Sequence, residues 1–258
     1  MDKSSFIGVI LAITGIMAGL VMEGGRITQI LQPTAALIVF GGTIGAVLLQ
    51  FPLSTVIQAF GRIFHLFVAP RKQDAELVRT LISFANKARR NGVVSLDADL
   101  PTIHDPFLKQ SVLLAVDGTE PADLRHIMQV LLDSSAENED RLPAVFESAG
   151  GFSPTIGILG AVLGLIQVMQ HLDNINEVGK GIAVAFVATI YGVGIANLFF
   201  LPMAGKMRIR MRDDFKRREM ILEGVISILE GMNPRMLEVK LTGFLQQRPE
   251  PSKQERAA

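Results

Sequence analysis

Four apolar blocks separated by polar stretches dominate the chain. The first runs from Ser4 to Met22, between Lys3 and Glu23, and the second lies at about Pro33 to Phe51, stopped by Pro52. The third runs from about Gly150 to Leu172 and the fourth from about Gly181 to Ala204. A membrane-crossing helix needs roughly 20 mostly apolar residues, within a range of about 17–25. Each block meets that length, so the pattern predicts an all-α membrane protein with four spans. A single block of this kind also fits a buried helix of a soluble protein; four in one short chain argue against that.

The polar stretches between the blocks predict helices as well. Leu77, Leu81, Phe84 and Ala88 fall on one helical face, with Asp74 and Glu76 in the first turn and Lys87, Arg89 and Arg90 in the last. The helix dipole favours that order of charge, and Gly92 is placed as a C-cap. A later helix starts near Thr119 and Pro121 and carries Leu124, Ile127, Met128, Leu131 and Leu132. Another follows the fourth block directly, with Phe215, Leu222, Val225, Ile226 and Leu229 as its apolar stripe. No strand-like alternation persists. The organisation read from this pattern is a transmembrane hairpin at 1–52, a helical domain at 53–149, a second transmembrane hairpin at 150–204, a helix at 205–245 and a polar, disordered tail at 246–258.

Charge sets the orientation. The loops at 23–32 and 173–180 are short, and each carries one basic residue. The segment 52–149 is rich in Lys and Arg, including Arg71 and Lys72, and the tail opens with Lys206, Arg208, Arg210 and Arg212. Basic residues accumulate on the cytoplasmic side. Both termini and the long middle segment are therefore expected in the cytoplasm, and the protein in the inner membrane. Apolar residues at 49% against charged residues at 19% agree with a membrane class, and a net charge of zero gives no reason to expect nucleic-acid binding. There is no cysteine, which removes disulfides, thiolate metal sites and cysteine catalysis; the four histidines show no ligand spacing. No cofactor is expected. The first block is too long for a typical signal-peptide core and reads as a retained span.

Within the spans, small residues recur at helical spacing. The second has Gly41 and Gly45; the third has Gly157, Ala161 and Gly164 on one face with Gly160 beside it; the fourth has Ala185, Thr189, Gly192 and Ala196. Such faces let helices pack closely. With Thr155 and Thr189 they also suit a narrow polar path, unless each Thr is bonded back to its own helix. Pro154 and Pro202 lie near the cytoplasmic ends of the third and fourth spans. Position alone favours helix ends; their matched depth favours a pair of hinges. No Asp, Glu, Lys, Arg or His lies well inside any span. Proton-moving membrane proteins normally rely on an intramembrane titratable group; if this chain moves protons, a partner must bring the carboxylate.

These features carry a resemblance. The stretches GGRITQILQPTAALIVFGGTIGAVL, FSPTIGILGAVLGLI, GKGIAVAFVATIYGVGIANLFFLPMAGK and ILEGVISILEGMNPRMLEVKL, in that order, resemble the A subunits of flagellar stators, MotA and its sodium-driven relative PomA, in the MotA/TolQ/ExbB superfamily. The resemblance covers nearly the whole chain. It implies five copies of this subunit around two copies of a B subunit whose single span brings the proton-binding Asp. It implies that Pro154 and Pro202 couple ion flow to movement and that Thr189 faces the ion site. Sodium-driven relatives have Thr at the position of Ala161, and an alanine offers no side-chain oxygen to a dehydrated Na⁺, which favours H⁺. The stretch KARRNGVVSLD is similar to the segment that contacts the rotor protein FliG, with Arg89 and possibly Arg90 as the positive group and Asp97, where the family usually has Glu, as the negative one. Read without the resemblance, these three are ordinary solvated charges.

The expected activity is a proton channel that drives rotation, without covalent catalysis and hence not an enzyme. The main rival is an energiser of the TolQ or ExbB type, but those relatives have three spans and lack the N-terminal hairpin. A solute transporter would want symmetric halves or a mid-membrane substrate site, and neither is visible. A purely structural scaffold would be indifferent to Thr189→Ala and Pro154→Ala.

Overall fold

The computed structural model describes residues 3–66 and 74–246, and every element among them is helical. Arg71, Lys72 and the tail expected to be disordered lie outside the described residues. The helices are α1 (Lys3–Met22), α2 (Pro33–Gln50), α3 (Leu53–Leu66), α4 (Asp74–Asn91), α5 (Pro106–Val116), α6 (Pro121–Gln170), α7 (Ile175–Ile195), α8 (Leu201–Leu229) and α9 (Pro234–Gln246). Two 3₁₀ segments, Ile27–Ile30 and Val93–Thr102, and one π-helical turn, Ala196–Phe200, complete the order.

Local chemistry accounts for many of the boundaries. Pro33 opens α2 at a position where its missing N–H costs nothing. Asp105 caps α5, its carboxylate accepting from the backbone N–H groups of Phe107 (3.0 Å) and Leu108 (3.1 Å). Asn174 does the same for α7 through Asn176 N–H. α4 ends at Gly92, whose φ of +80° a residue with a Cβ adopts only with strain.

Two expectations of the sequence differ from what is observed. The helix that starts near Pro121 and the third apolar block form one helix, α6, of 50 residues, which runs through both Pro143 and Pro154. The fourth block likewise passes through the π turn into α8 without a break. Neither Pro154 nor Pro202 therefore marks a helix end. A proline inside a helix removes one hydrogen bond, and packing of the surrounding turns holds the rest together.

The chain divides into two compact units. The first comprises Met1–Ala69 and Glu139–Ile209. It holds α1 to α3, α7 and the π turn, with the membrane-length part of α6 and the start of α8. The stretches Pro33–Gln50, Pro121–Gln170 and Ile175–Leu229 are long and apolar enough to cross a membrane, and α1 carries a shorter apolar run, Phe6–Met22. Large apolar side chains on these helices face outward, among them Leu49, Leu159 and Phe186. That is the inside-out distribution expected of surfaces meeting lipid or other apolar helices. A small core forms where Ala35 and Val39 of α2 meet Val187 and Ala188 of α7. A larger one gathers Val56, Ala59 and Ile63 of α3 with Phe146 of α6 and Phe200 and Met203 beyond the π turn.

The second unit comprises Pro70–Asn138 and Arg210–Ala258. Its core is built from Leu77, Leu81 and Phe84 of α4, Leu108 and Val112 of α5, Leu124 and Met128 of α6, Leu222, Val225 and Ile226 of α8, and Leu237 and Leu241 of α9. The stripe expected on α4 is the buried one, with Ala88 at the margin; on α8 Leu222, Val225 and Ile226 are buried and Leu229 packs at the margin, while Phe215 is half-buried and outside this core. On α6 the inward row is Leu124, Met128 and Leu132, while Ile127 and Leu131 are exposed.

Candidate functional site: a glycine-packed, proline-interrupted helix pair

The C-terminal part of α6 and the helix α7 run antiparallel and meet through glycine. A Cβ built on Gly157 would lie 2.9 Å from the Ala188 carbonyl oxygen and 3.2 Å from Gly192 Cα. One on Gly160 would lie 2.8 Å from Ala188 Cβ, and one on Gly164 2.7 Å from the Gly181 carbonyl oxygen. Gly192 in turn abuts the Ser153 carbonyl and Gly157. The small faces of the two helices are thus filled by each other, as close helix packing requires. On α2 the packed glycine is Gly42, which faces Ile156 at 2.8 Å; Gly41 and Gly45 have no neighbour within 4 Å in the subunit.

Both threonines bond back to their own helices. Thr155 is exposed and its Oγ1 donates to the Phe152 carbonyl at 2.7 Å. Thr189 is half-buried and donates to the Ala185 carbonyl at 3.2 Å. Each hydroxyl has used its single proton and presents lone pairs only. Ala161 is half-buried on α6.

The two proline-interrupted turns lie against each other. Pro154 has no N–H for the Gly150 carbonyl, which would be its α-helical acceptor. A Cβ on Gly150 would sit 2.7 Å from Leu201 Cδ2 and 3.5 Å from Phe200 Cβ. Gly150, at the start of one weakened turn, therefore packs on the residues that precede Pro202 in the other. The apolar stretches 150–170 and 181–204 contain no Asp, Glu, Lys, Arg or His. By itself this pair can pack tightly and flex at matched positions, but it cannot bind and release a proton on a side chain.

Three features escaped the sequence reading. Tyr191, the single tyrosine, donates its hydroxyl to the Ile30 carbonyl and accepts from Gln32 N–H at 3.3 Å, tying the first loop to α7. A lone tyrosine in an apolar block signals such a hydrogen bond, since a buried phenol seeks a partner. Gly181 joins the glycine contact with Gly164. The π turn has no sequence signal beyond the nearby Pro202.

In the second unit the charges near the end of α4 sort into two groups. Lys87 pairs with Asp99 at 2.6 Å, holding α4 against the 3₁₀ segment. Arg89, Arg90 and Asp97 are exposed, and none has an ion pair among the described residues. A second cluster centres on Glu223, which accepts from both terminal nitrogens of Arg125 and from Lys240 Nζ at 2.7 Å. The Arg125 hydrogen bond holds the Glu223 carboxyl below the usual carboxylate range, with burial opposing it and Lys240 assisting. The same bond raises Arg125.

Comparison with known proteins decides the lineage. Residues 6–92 match the motility protein A N-terminal domain, and residues 99–220 match the MotA/TolQ/ExbB proton channel family. Motility protein A of Bacillus subtilis is 37% identical over 247 residues, covering 95% of this chain and 91% of its own. The chain belongs to the MotA/TolQ/ExbB proton channel family. Two solved structures agree. The flagellar MotAB stator complex of Bacillus subtilis superposes with a TM-score of 0.87 at 36% identity, covering 100% of both chains. The MotAB structure of C. jejuni gives 0.90 at 31% identity, covering 97% of this chain and 98% of that one. The glycine-packed pair lies within the family's channel-domain match, and the match to residues 6–92 adds the N-terminal helices typical of the motility branch.

Proposed function

We propose that this chain is the A subunit of a flagellar motor stator, a multi-pass protein of the inner membrane that forms, with a B subunit, a proton channel converting ion flow into torque. The observation that carries the reading is the packed pair of apolar stretches 150–170 and 181–204, closely fitted and proline-interrupted at facing turns, yet without Asp, Glu, Lys, Arg or His. Such a pair is an incomplete channel; its likeness to MotAB complexes supports a B-subunit partner, and in this reading that partner brings a membrane-embedded Asp. The protein is a channel subunit and not an enzyme.

In this reading α1, α2, the end of α6 and α7 with the π turn are the four spans. Both termini and the second unit are cytoplasmic, and five copies surround two B subunits in the lipid bilayer. Protons pass between the Thr189 side of α7, Thr155 and Ala161 of α6, and the partner's carboxylate. Neutralising that carboxylate changes its packing, and the turns at Pro154 and Pro202 transmit the change. H⁺ rather than Na⁺ is the coupling ion, because Ala161 offers no side-chain oxygen where a dehydrated cation would need one. Arg89, Arg90 and Asp97, exposed and without ion pairs among the described residues, steer and register the rotor protein FliG.

The rotor contact is tested by Arg89→Glu and Asp97→Lys, scored for swimming and for FliG binding. Loss of both is expected; unchanged motility and binding in both variants would remove the claim. An energiser of the TolQ or ExbB type is less suited, since the match over residues 6–92 is to the motility branch.

A further inference from the structure

The π turn between α7 and α8 leaves one main-chain oxygen without a helical donor. In α register the N–H of Leu201 would bond to the carbonyl of Asn197; here it bonds to that of Ala196. In π register the donor to Asn197 would be residue 202, and Pro202 has no N–H. Neither register satisfies the Asn197 carbonyl. The Asn197 side chain does not close the gap. Its Nδ2 donates to the Val193 carbonyl at 2.9 Å, which leaves Oδ1 as a further acceptor. Asn197 is exposed in the isolated subunit. Two acceptor oxygens with no donor thus sit together in a stretch, 181–204, that carries no charged residue. A membrane segment does not leave main-chain oxygens bare; irregular backbone at that depth is buried in protein or lines water.

The position within α7 says which. Thr189, Val193 and Asn197 succeed one another a turn apart, and Thr189 Oγ1 has already given its proton to the Ala185 carbonyl. The row therefore presents oxygen lone pairs at both ends, with the second Asn197 Nδ2 proton as its one remaining side-chain donor. The complementary occupant is a small molecule that donates more than one hydrogen bond and exchanges protons. π turns inside α-helices also recur at functional sites.

We propose that Asn197 is a water-holding station of the proton path, about two turns beyond Thr189 toward the basic end of the helix at Lys206. A water there donates to the main-chain and side-chain oxygens of Asn197, and its lone pair is free to take up an arriving proton. The resulting hydronium donates more strongly to the same two oxygens, then passes one proton to the next water and returns to neutral water. The station rests on the channel reading above.

The absence of native cysteine gives a direct test. In the complete complex with its B subunit, Asn197→Cys should react with a charged, water-soluble methanethiosulfonate reagent, since only a hydrated thiol forms the reactive thiolate. Leu37→Cys on α2, exposed in the subunit and flanked by Ala36 and Ile38, serves as the unreactive control. Proton uptake into liposomes holding the complex should fall about tenfold for Asn197→Leu, the effect of losing one desolvated hydrogen-bond acceptor. Asn197→Ser, which keeps an acceptor oxygen, should restore most of the flux. A Cys at 197 no more reactive than the one at 37, or an Asn197→Leu complex that assembles and conducts like wild type, overturns the station alone. A wild-type complex that moves no protons overturns the channel reading together with it.

Discussion

At the scale of single residues, absence of a side chain is the chief design element of the α6–α7 contact. Gly192 faces the Ser153 carbonyl and Gly157 Cα so closely that a Cβ has no room. The opposing atoms are backbone and cannot swing aside. Gly192→Val is therefore expected to cost about 2 kcal/mol or more, read as a lowered melting temperature of the detergent-solubilised protein. Gly205→Ala, which meets no atom within 4 Å in the subunit, should melt like wild type. Tyr191 works in the opposite sense, by adding a polar tip. Tyr191→Phe keeps the ring beside Phe40, at 6.1 Å between centroids, but strips a donor from the Ile30 carbonyl and an acceptor from Gln32 N–H. A loss of about 1–2 kcal/mol follows from two main-chain groups losing their partner, with faster hydrogen exchange at the first loop as its local signature.

Glu223 adds a pH dependence at the same scale. Its folded-state pKa lies below the ordinary value of 4.5, so the folded state favours the ionised form. The stability this contributes is fully present above about pH 4.5 and is lost as pH falls through the depressed folded-state value. Glu223→Gln should lower the melting temperature at neutral pH and flatten its decline in acid. An unchanged acid profile in that variant would show that the Arg125–Glu223–Lys240 cluster contributes nothing to acid unfolding.

At the scale of elements, the two proline-interrupted turns matter more than either proline alone. Each removes one hydrogen bond from a helix that otherwise continues, and Gly150 at one packs on Leu201 and Phe200 at the other. A bend in α6 at Pro154 therefore presses on the π turn, where the helix is already out of α register. Pro202→Ala restores an N–H and lets residues 196–202 return to α register. The expected result is a protein that inserts and accumulates normally but turns tethered cells slowly or not at all; full-speed rotation would remove the hinge. The exposed charges at the end of α4 belong to this scale too. Lys87–Asp99 at 2.6 Å fixes the 3₁₀ segment that carries Asp97, so the orientation of Asp97 depends on a neighbour that the sequence does not mark. Asp99→Asn should weaken FliG binding less than Asp97→Lys does, with Lys87→Met matching Asp99→Asn.

At the scale of the whole molecule, the chain is one component of a machine. Its membrane-length stretches carry outward-facing Leu, Ile and Phe, and the stretches 150–170 and 181–204 bear no Asp, Glu, Lys, Arg or His. Liposomes holding this chain alone are expected to show no proton flux above protein-free liposomes. Flux should appear on adding the B subunit and vanish when that subunit's membrane Asp is replaced by Asn.

The apolar blocks, the helical face of α4 and most of that of α8, the cap at Gly92, the start of α2 at Pro33, and the lack of Asp, Glu, Lys, Arg and His within the blocks were all legible in the sequence. Each follows from local chemistry or from hydropathy, which needs no knowledge of neighbours. So were the glycines of the third and fourth blocks, because i, i+3 and i+4 spacing places them on one face wherever that face points. What they face was not legible. Gly157, Gly164 and Gly192 meet one another across the helix pair, while Gly41 and Gly45, with the same spacing, meet nothing in the subunit and Gly42 packs instead. Continuity of α6 through Pro154, and of α7 into α8 past Pro202, was likewise a tertiary outcome. Local propensity stops a helix at proline, and only the packing of the turns on either side carries it through. Pro202 marks in the sequence where a donor is missing, but that the chain answers with a π turn at 196–200, and which oxygens this leaves bare, was not legible, because it depends on how the turns on either side pack.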